Sequence, residues 1–433
     1  MALLARRAAR RSAASTKAAA PPAAVAVELS IPAHFRCPIS LDLMRDPVTA
    51  PTGITYDRES IEAWLDTGRA AVCPVTHAPL RHEDLVPNHA IRRVIQDWCV
   101  ANRSRGVERI PTPKIPLTPV QASELLFDLA ESRDTAAAIA RVRALARDSE
   151  RNRRCLVSVG AGRVLASALA SLAADGETPA AALEDVLAAL VCMTPLDDEA
   201  ARILATPTSL GSLVAIAENG SLAGRLNAVL VIKEIVSCIQ LTGNVVEELV
   251  DALAKVIKAP ICPQATKAAM VATYHLASSS ERAAAHAAGA GLVPVLVESL
   301  VGADKSAAEK ALAVLDAVLA SEEGRTSARA HALTVPVLVK KMFRVSDLAT
   351  ELAVSAMWRL GRGAKESEEG EATKCLVEAL RVGAFQKLLL LLQVGCRDAT
   401  KEKTTELLKM LNKHKGVGEC VDAMDFRGIN RLS

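Results

Sequence analysis

The chain has 433 residues, half of them apolar, and a net charge of +3 with acids and bases well mixed. This length is too great for one small core and predicts two or more domains or a repeat array. The balanced charge does not favour a nucleic-acid partner, and the absence of an apolar run of about 18 residues argues against a membrane span.

The ten cysteines are scattered without paired spacing, which predicts free thiols and a reducing compartment. We therefore expect a cytoplasmic protein and leave a nuclear location open. Four cysteines fall in helical apolar patterns, where core filling is a more common role than nucleophilic catalysis. They are Cys155, Cys192, Cys238 and Cys375.

Residues 1–29 begin with MALLARRAARRSAASTKAAAPP, which holds five basic residues and precedes the first acid, Glu28. This composition resembles a transit peptide, but charge and alanine content are weak signals. We predict a disordered basic tail, with the transit peptide as the alternative.

Two stretches, CPISLDLMRDPVTAPTGITYDR (37–58) and CPVTHAP (73–79), each look like a zinc knuckle that has lost a ligand. A structural knuckle has Cys-x-x-Cys, but Ser40 and Thr76 occupy the place of the second cysteine. The remaining candidate ligands are Cys37, Cys73, His77 and His82. Their spacing is not that of a structural zinc site, so we predict no metal.

Charged side chains cluster in the same region and offer an alternative to metal. Charge-assisted hydrogen bonds among them would fix the loops, whereas solvated surface charges would contribute little. The cluster comprises Asp42, Arg45, Asp46, Asp57, Arg58 and Glu59.

Two helices are predicted around this cluster, the first capped by Asp57 and the second by Asn88. The first apolar face comprises Ile61, Trp64 and Leu65. The second comprises Ile91, Val94, Ile95 and Trp98.

A proline-rich run, IPTPKIPLTP (110–119), follows, and residues 105–118 are the predicted linker. Prolines at this spacing favour extended polyproline and predict a semi-rigid spacer between two domains. The segment ends at a helix start, because Thr118 can cap, Pro119 suits the first helical position and Gln121 completes a capping box.

The rest of the chain is predicted to be helical and repetitive. LVPVLVESL (292–300) matches TVPVLVKKM (334–342) at an offset of 42 residues, and the Leu-Ala-Ser ends of two preceding helices are 43 residues apart. A helical repeat of this length fits armadillo or HEAT units, which stack into a solenoid with one continuous core. An acidic segment, ESEEGE (366–371), precedes the last copy.

The run IPAHFRCPISLDLMRDPVTAPTGITYDRESIEAWL (31–65), with CPVTHAPL and LVPNHAIRRVIQDW behind it, resembles a U-box, the zinc-free relative of the RING finger. With the linker and repeats, the whole chain resembles a plant U-box/armadillo E3 ubiquitin ligase. The resemblance implies a mainly α protein in which a small α+β U-box precedes an armadillo-type α-solenoid. The expected divisions are the tail 1–29, U-box 30–104, linker 105–118, repeats 119–414 and C-terminal tail 415–433.

The resemblance further implies that the U-box docks a ubiquitin-charged conjugating enzyme (E2), in a shallow apolar groove. Ile39 in the first loop, Pro74 in the second and Trp64 on the intervening helix match that groove. From the residues alone, Trp64 has an alternative place in the core, because it shares a face with Ile61. His77 stands where many such ligases carry an arginine that touches both E2 and ubiquitin, and its alternative is an ordinary loop residue.

The same resemblance implies that the repeats recruit an unidentified protein substrate, and that the protein needs neither a nucleophile of its own nor a cofactor. A homodimer is left open. The alternative is a non-catalytic armadillo scaffold with an inert U-box.

In armadillo repeats the third helix of each unit lines the partner groove. The repeat alignment puts four residues in one column: Glu234, His275, Val318 and Arg359. The chain lacks the asparagine ladder of nuclear import adaptors, which argues against that class. The candidate groove residues are Tyr274, His275, Trp358 and Arg359; for the two aromatic residues, packing between helices is an equal alternative.

Overall fold

The computed structural model describes residues 31–66, 71–110, 112, 116–131, 135–176, 178–362 and 366–414. The chain divides into two compact units, Met1–Ile115 and Pro116–Ser433. Both predicted tails lie outside the described residues. As predicted, the described chain is mainly helical with a small β-sheet.

The first unit contains a three-stranded antiparallel sheet of order β2–β1–β3. Its strands are β1 (Pro47–Thr49), β2 (Thr55–Asp57) and β3 (Val86–Pro87). Helix α1 (Arg58–Asp66) follows β2 directly, and α2 (His89–Ala101) packs on β1. Its core is a compact apolar cluster that includes Phe35, Met44, Val48, Tyr56, Ile61, Leu80 and Ile95.

The helix starts in this unit differ in part from the prediction. Asn88 caps α2, since its side chain accepts a hydrogen bond from the Ile91 N–H (2.9 Å). Asp57 precedes α1, but its carboxylate accepts loop N–H groups instead of helix N–H groups, so its predicted capping role is wrong. Val94 was placed on the apolar face of α2 and is half exposed, because the buried face centres on Ile95.

The second unit is helical throughout its described residues. Its first helix begins at Pro119, and Thr118 and Gln121 form the predicted capping box. The helices are α3 (Pro119–Glu131), α4 (Thr135–Asp148), α5 (Glu150–Ser158), α6 (Ala161–Asp175), α7 (Ala180–Cys192), α8 (Asp198–Leu204), α9 (Pro207–Asn219), α10 (Leu222–Cys238), α11 (Val245–Lys258), α12 (Pro263–Ser279), α13 (Glu281–Gly289), α14 (Leu292–Gly302), α15 (Lys305–Val318), α16 (Glu322–Ala330), α17 (Thr334–Lys341), α18 (Asp347–Gly361), α19 (Glu366–Arg381), α20 (Ala384–Val394) and α21 (Asp398–Lys413). The acidic segment 366–371 forms the start of α19.

Three repeats are a short helix followed by two longer ones: α5–α6–α7, α8–α9–α10 and α13–α14–α15. The last helices of successive repeats pack side by side in a continuous row, which we call the third-helix row: α4, α7, α10, α12, α15, α18 and α21. The fourth repeat lacks its short first helix, and residues 239–244 join α10 directly to α11.

The repeat period is visible in the caps of the third-helix row. The N-cap residues Ser221, Cys262, Asp304 and Ser346 follow one another at intervals of 41, 42 and 42 residues. The side chain five residues after one cap reaches the cap of the next helix. The polar pairs are Glu184 with Ser221, Lys267 with Asp304, Glu309 with Ser346 and Glu351 with Arg397.

The cysteines of the repeats are mostly core residues, as predicted. Cys375 is buried and Cys155 and Cys192 are half-buried, but Cys238 is exposed at the end of α10, which corrects its predicted place in the core. Among the described residues, no single helix is long and apolar enough to cross a membrane, although three helix pairs bent by 72 to 81° would reach that length and apolarity together.

Candidate functional site

A tight loop, residues 36–43, carries the first Cys-Pro pair of the first unit. The Cys37 N–H donates to the Asp42 carbonyl oxygen and the Leu41 N–H donates to the Cys37 carbonyl oxygen, each at 2.9 Å. An antiparallel bridge between its end residues closes the loop. We call it the first loop.

A second loop, residues 72–79, repeats this plan. The Cys73 N–H donates to the Ala78 carbonyl oxygen (2.8 Å), the His77 N–H donates to the Cys73 carbonyl oxygen (2.9 Å), and a bridge again joins the two ends. The half-knuckles of the sequence are therefore two copies of one loop, each closed by backbone hydrogen bonds.

The fourth residue after each cysteine has an unusual backbone. Leu41 and His77 have φ values of 62° and 57°, in the left-handed region that costs a side-chain-bearing residue about 1–2 kcal/mol. The hydrogen bonds that close the loops hold this conformation. Both side chains are exposed, and such local strain is common where a side chain is presented to a partner.

The three predicted E2-contact residues lie on or beside these loops. Ile39 is half-buried against the core of the first unit, and Pro74 is half-buried in the second loop. Trp64 is 40% exposed, and its Nε1–H donates to the Val72 carbonyl oxygen at the base of the second loop (3.0 Å). Trp64 is therefore joined to the second loop and is not buried in the core. Contact of these residues with an E2 stays a prediction.

Two exposed apolar residues of the loops were not predicted. Leu41 is 68% exposed in the first loop, and Val75 is 53% exposed in the second. The loop backbone, and not the period of a helix or strand, determines where these two side chains lie. Apolar periodicity in the sequence therefore could not predict their exposure. The order cysteine, proline, apolar residue, hydroxyl residue occurs in both loops and was the available signal. It aligns Val75 of the second loop with Ile39 of the first, which was predicted to contact the E2.

An ion cluster centred on Asp46 ties β1, α1 and α2 together. Arg58 Nε lies 2.7 Å from one oxygen of Asp46, and Arg92 binds the other oxygen. All three side chains are largely shielded from water, which makes such a cluster stronger than a surface pair.

Asp57 supplies the second part of this polar network. Its Oδ1 accepts the N–H groups of Arg45 (2.8 Å) and Asp46 (2.9 Å). Burial raises the pKa of Asp57 above its ordinary value, although the two N–H groups oppose the rise. The side chains of Asp42, Arg45 and Glu59 are exposed, which fits the alternative of solvated surface charges, and Arg45 joins the network only through its backbone N–H.

A sulfur-centred cluster holds the second loop. Cys73 is fully buried, and the hydroxyls of Tyr56 and Thr52 lie 2.9 and 3.8 Å from its Sγ. Burial alone raises the pKa of the Cys73 thiol, but hydrogen bonds from Thr76, Tyr56 and Val75 outweigh burial and lower it to about 6. Burial and the bond to Cys73 raise the pKa of Tyr56 above its ordinary value.

The four candidate zinc ligands do not come together as a set. Cys37 and Cys73 are buried, whereas His77 is exposed and His82 pairs with Asp66 (3.1 Å). In the part of the chain that the structure describes, no group of three or more His, Cys, Asp or Glu side chains is placed to hold a metal ion.

Two of the predicted groove residues link neighbouring repeats. Arg359 of α18 pairs with Asp316 of α15 (3.0 Å), and the Trp358 Nε1–H donates to Glu406 of α21 (2.6 Å). The Arg362 guanidinium stacks over the Trp358 ring at 4.5 Å. Their contacts place both residues in packing between helices, the alternative given above for Trp358.

The other groove candidates lie in the fourth repeat. Tyr274 is 39% exposed, and His275 lines a cavity of about 330 Å³ beside residues 239–244, where the short helix is missing. Burial, with the charge of Lys233, lowers the pKa of His275. Val318, assigned to the same column, is fully buried and does not line the row's surface.

Comparison with known proteins gives two family matches that together span most of the chain. Residues 31–104 match the U-box domain, and residues 121–430 match the armadillo region of plant U-box proteins. The chain belongs to the plant U-box proteins with armadillo repeats. The predicted U-box, the repeats and the mainly α fold are thereby confirmed, while the exact domain limits stay predictions.

Individual relatives agree with this family. "U-box domain-containing protein 21" of Arabidopsis thaliana is 38% identical over 418 residues, which cover 93% of each chain. "E3 ubiquitin-protein ligase PUB23" of the same plant is 34% identical and covers 88% of this chain and 93% of its own. A solved chain from work on the cadherin–beta-catenin interaction aligns over 82% of this chain and 60% of its own, with a TM-score of 0.50 and 17% identity, and supports the fold alone.

Proposed function

We propose that this plant U-box protein is an E3 ubiquitin-protein ligase whose two Cys-Pro loops dock a ubiquitin-charged E2. Ligase activity is supported by the family and by relatives named as E3 ubiquitin-protein ligases. The exposure of Leu41 and Val75, in two loops of the same construction, is the observation that carries the docking surface.

The chemistry fits a site without a nucleophile. A substrate lysine attacks the thioester between E2 and ubiquitin, and the ligase contributes by holding the reactants together in a productive orientation. A small apolar patch flanked by an aromatic residue suits this task, because such residues dominate binding energy at interfaces. Trp64, fixed to the base of the second loop, supplies the aromatic side.

His77 is the proposed donor toward the E2–ubiquitin pair. Its backbone has a φ of 57° and its side chain is exposed. A neutral imidazole offers one N–H donor and a protonated imidazole offers two. An arginine side chain offers five. The repeats are proposed to recruit the substrate, with the exposed Tyr274 and the cavity beside His275 as candidate contacts.

A ubiquitination assay tests the docking surface directly. The full chain, E1, a panel of E2s, ubiquitin and ATP are mixed, and ubiquitin discharge is compared for wild type, Ile39→Ala and Leu41→Ala. We expect each variant to lose at least tenfold in rate, since truncation of a docking side chain costs roughly 1–2 kcal/mol or more.

Val94→Ala is the matched control, because it truncates a half-exposed apolar side chain of the same unit, on α2. It is expected to keep the wild-type rate. Docking by the first loop would be disproved if Ile39→Ala and Leu41→Ala discharged the E2 as fast as Val94→Ala. A folded wild type that is inactive with every E2 would favour the scaffold alternative.

A further inference from the structure

The basic residues of this chain are unevenly divided between arginine and lysine. Residues 18–232 contain twenty arginines and a single lysine, Lys114, whereas residues 233–433 contain ten arginines and sixteen lysines. The lysine-poor stretch holds the whole U-box and nearly all of the first three repeats.

The fold does not require this division. In the lysine-poor stretch, ion pairs between repeats use arginine, as in Arg143 with Asp185. In later repeats lysine makes the same kind of pair between third helices, as in Lys267 with Asp304. Arginine and lysine can therefore both make ion pairs between repeats in this architecture.

The exposure of the arginines also indicates that the fold does not require this division between arginine and lysine. Many arginines of the lysine-poor stretch lie at the surface, where a positive charge of either type suffices for solubility. They include Arg81, Arg93, Arg103, Arg105, Arg141, Arg147 and Arg151.

The two side chains differ in the one property that ubiquitin transfer uses. A lysine amine can lose a proton and attack the thioester carbonyl, so that a C–N bond forms, the C–S bond to the E2 cysteine breaks, and the amine proton passes to solvent. An arginine guanidinium stays protonated in proteins and is not a nucleophile under these conditions. Arginine thus keeps the charge and removes the acceptor.

We propose that the U-box and the adjoining repeats are kept free of ubiquitin acceptors, so that self-ubiquitination falls on the lysines beyond residue 232. The proposal rests on the ligase function given above. A docked E2 holds its thioester at high effective concentration over the unit that binds it, so acceptors there would be modified first.

Arg81 shows what such a modification would do. It lies two residues after the end of the second loop, its side chain is 75% exposed, and it pairs with Glu83 (2.9 Å), a contact that lysine can also make. Ubiquitin attached at this position would stand beside Val75 and His77. The U-box would then lose access to its own E2.

The test replaces exposed arginines by lysine in the full chain. Arg81→Lys and Arg105→Lys add acceptors to the lysine-poor stretch. Arg282→Lys is the matched control, since Arg282 is 69% exposed and lies among the lysines of the later repeats. After self-ubiquitination with E1, E2, ubiquitin and ATP, modified lysines are mapped by mass spectrometry.

Wild type is expected to carry ubiquitin beyond residue 232, and both new lysines are expected to be modified. After preincubation, Arg81→Lys should discharge fresh E2 several-fold more slowly than wild type, whereas Arg282→Lys should match wild type. New lysines that stay unmodified while later lysines react would overturn the proposal alone, as would wild-type modification confined to Lys17 and Lys114. No ubiquitin on any variant would overturn the ligase function and this proposal with it.

Discussion

At the scale of single residues, side-chain and backbone hydrogen bonds fix the loops of the first unit around its apolar core. Asp57 illustrates the point. Its position predicted a helix cap, yet its Oδ1 accepts two loop N–H groups. Both uses satisfy the same physical rule, that a carboxylate next to free N–H groups accepts from them. The sequence alone does not show which free N–H groups lie closest to this carboxylate in the folded chain.

The Cys73 sulfur leads to a prediction about pH. The folded pKa of about 6 is lower than that of an ordinary thiol, so the unfolded chain binds the extra proton between these values. Stability from this site is therefore fully present above the unfolded pKa and is lost as pH falls through about 6. We expect the thiolate absorbance of the full chain to titrate in one step near pH 6 that Cys73→Ala removes.

Four other thiols are expected to titrate above this step, because burial raises the pKa of Cys155, Cys238, Cys375 and Cys396. Cys37→Ala is the control, since Cys37 is equally buried and heads a loop of the same plan. It should leave the step in place, and Tyr56→Phe should move it upward by removing the hydroxyl at 2.9 Å. An unchanged midpoint in Tyr56→Phe would show that the hydroxyl does not stabilise the thiolate.

At the scale of helices, the period of the sequence was the reliable guide. Capping by Thr118 and Asn88 and the spacing of about 42 residues are all found in the structure. These features depend on local contacts that sequence spacing fixes. Leu41 and Val75 were missed because no period governs a loop. Cys238 was misplaced because it is the last residue of α10, where its side chain is exposed.

The pair between Glu309 and Ser346 joins capping to the stacking of repeats. Ser346 caps α18 by accepting the Ala349 N–H (3.1 Å), and its hydroxyl donates to Glu309 of α15 (2.6 Å). A double-mutant cycle with Glu309→Ala and Ser346→Ala is expected to give a coupling energy of about 1 kcal/mol in denaturant unfolding, since the two side chains share one hydrogen bond.

A second cycle controls for the loss of a cap. Ser149 caps α5 through the Asn152 N–H (3.1 Å) and is distant in sequence from Glu309. Ser149→Ala combined with Glu309→Ala should be additive within about 0.5 kcal/mol. Equal coupling in both cycles would mean that the stacking pair adds nothing beyond the cap.

At the scale of the whole molecule, the sequence predicted the order of parts well, because composition changes sharply between them. The U-box residues 30–104 contain no lysine, and the next lysine after Lys114 is Lys233 in α10. Self-ubiquitination beyond residue 232 therefore requires transfer of ubiquitin from an E2 docked on the first unit to lysines of the second. The predicted linker, residues 105–118, is too long at both ends, because Ile110 is buried in the core of the first unit and Leu117 packs on the core of the second. We expect the residues between these two to set the effective concentration of that encounter.

Doubling the linker with Gly and Ser is expected to lower self-ubiquitination beyond residue 232 by roughly threefold, as effective concentration falls with about the −3/2 power of length. Discharge of E2 onto free lysine should not change, because that reaction needs only the U-box. The two rates are measured on the same preparations of the full chain. Equal losses in the two rates would place the defect in the U-box itself. No loss in either rate would mean that ubiquitin is transferred between separate molecules, since only transfer within one chain depends on linker length.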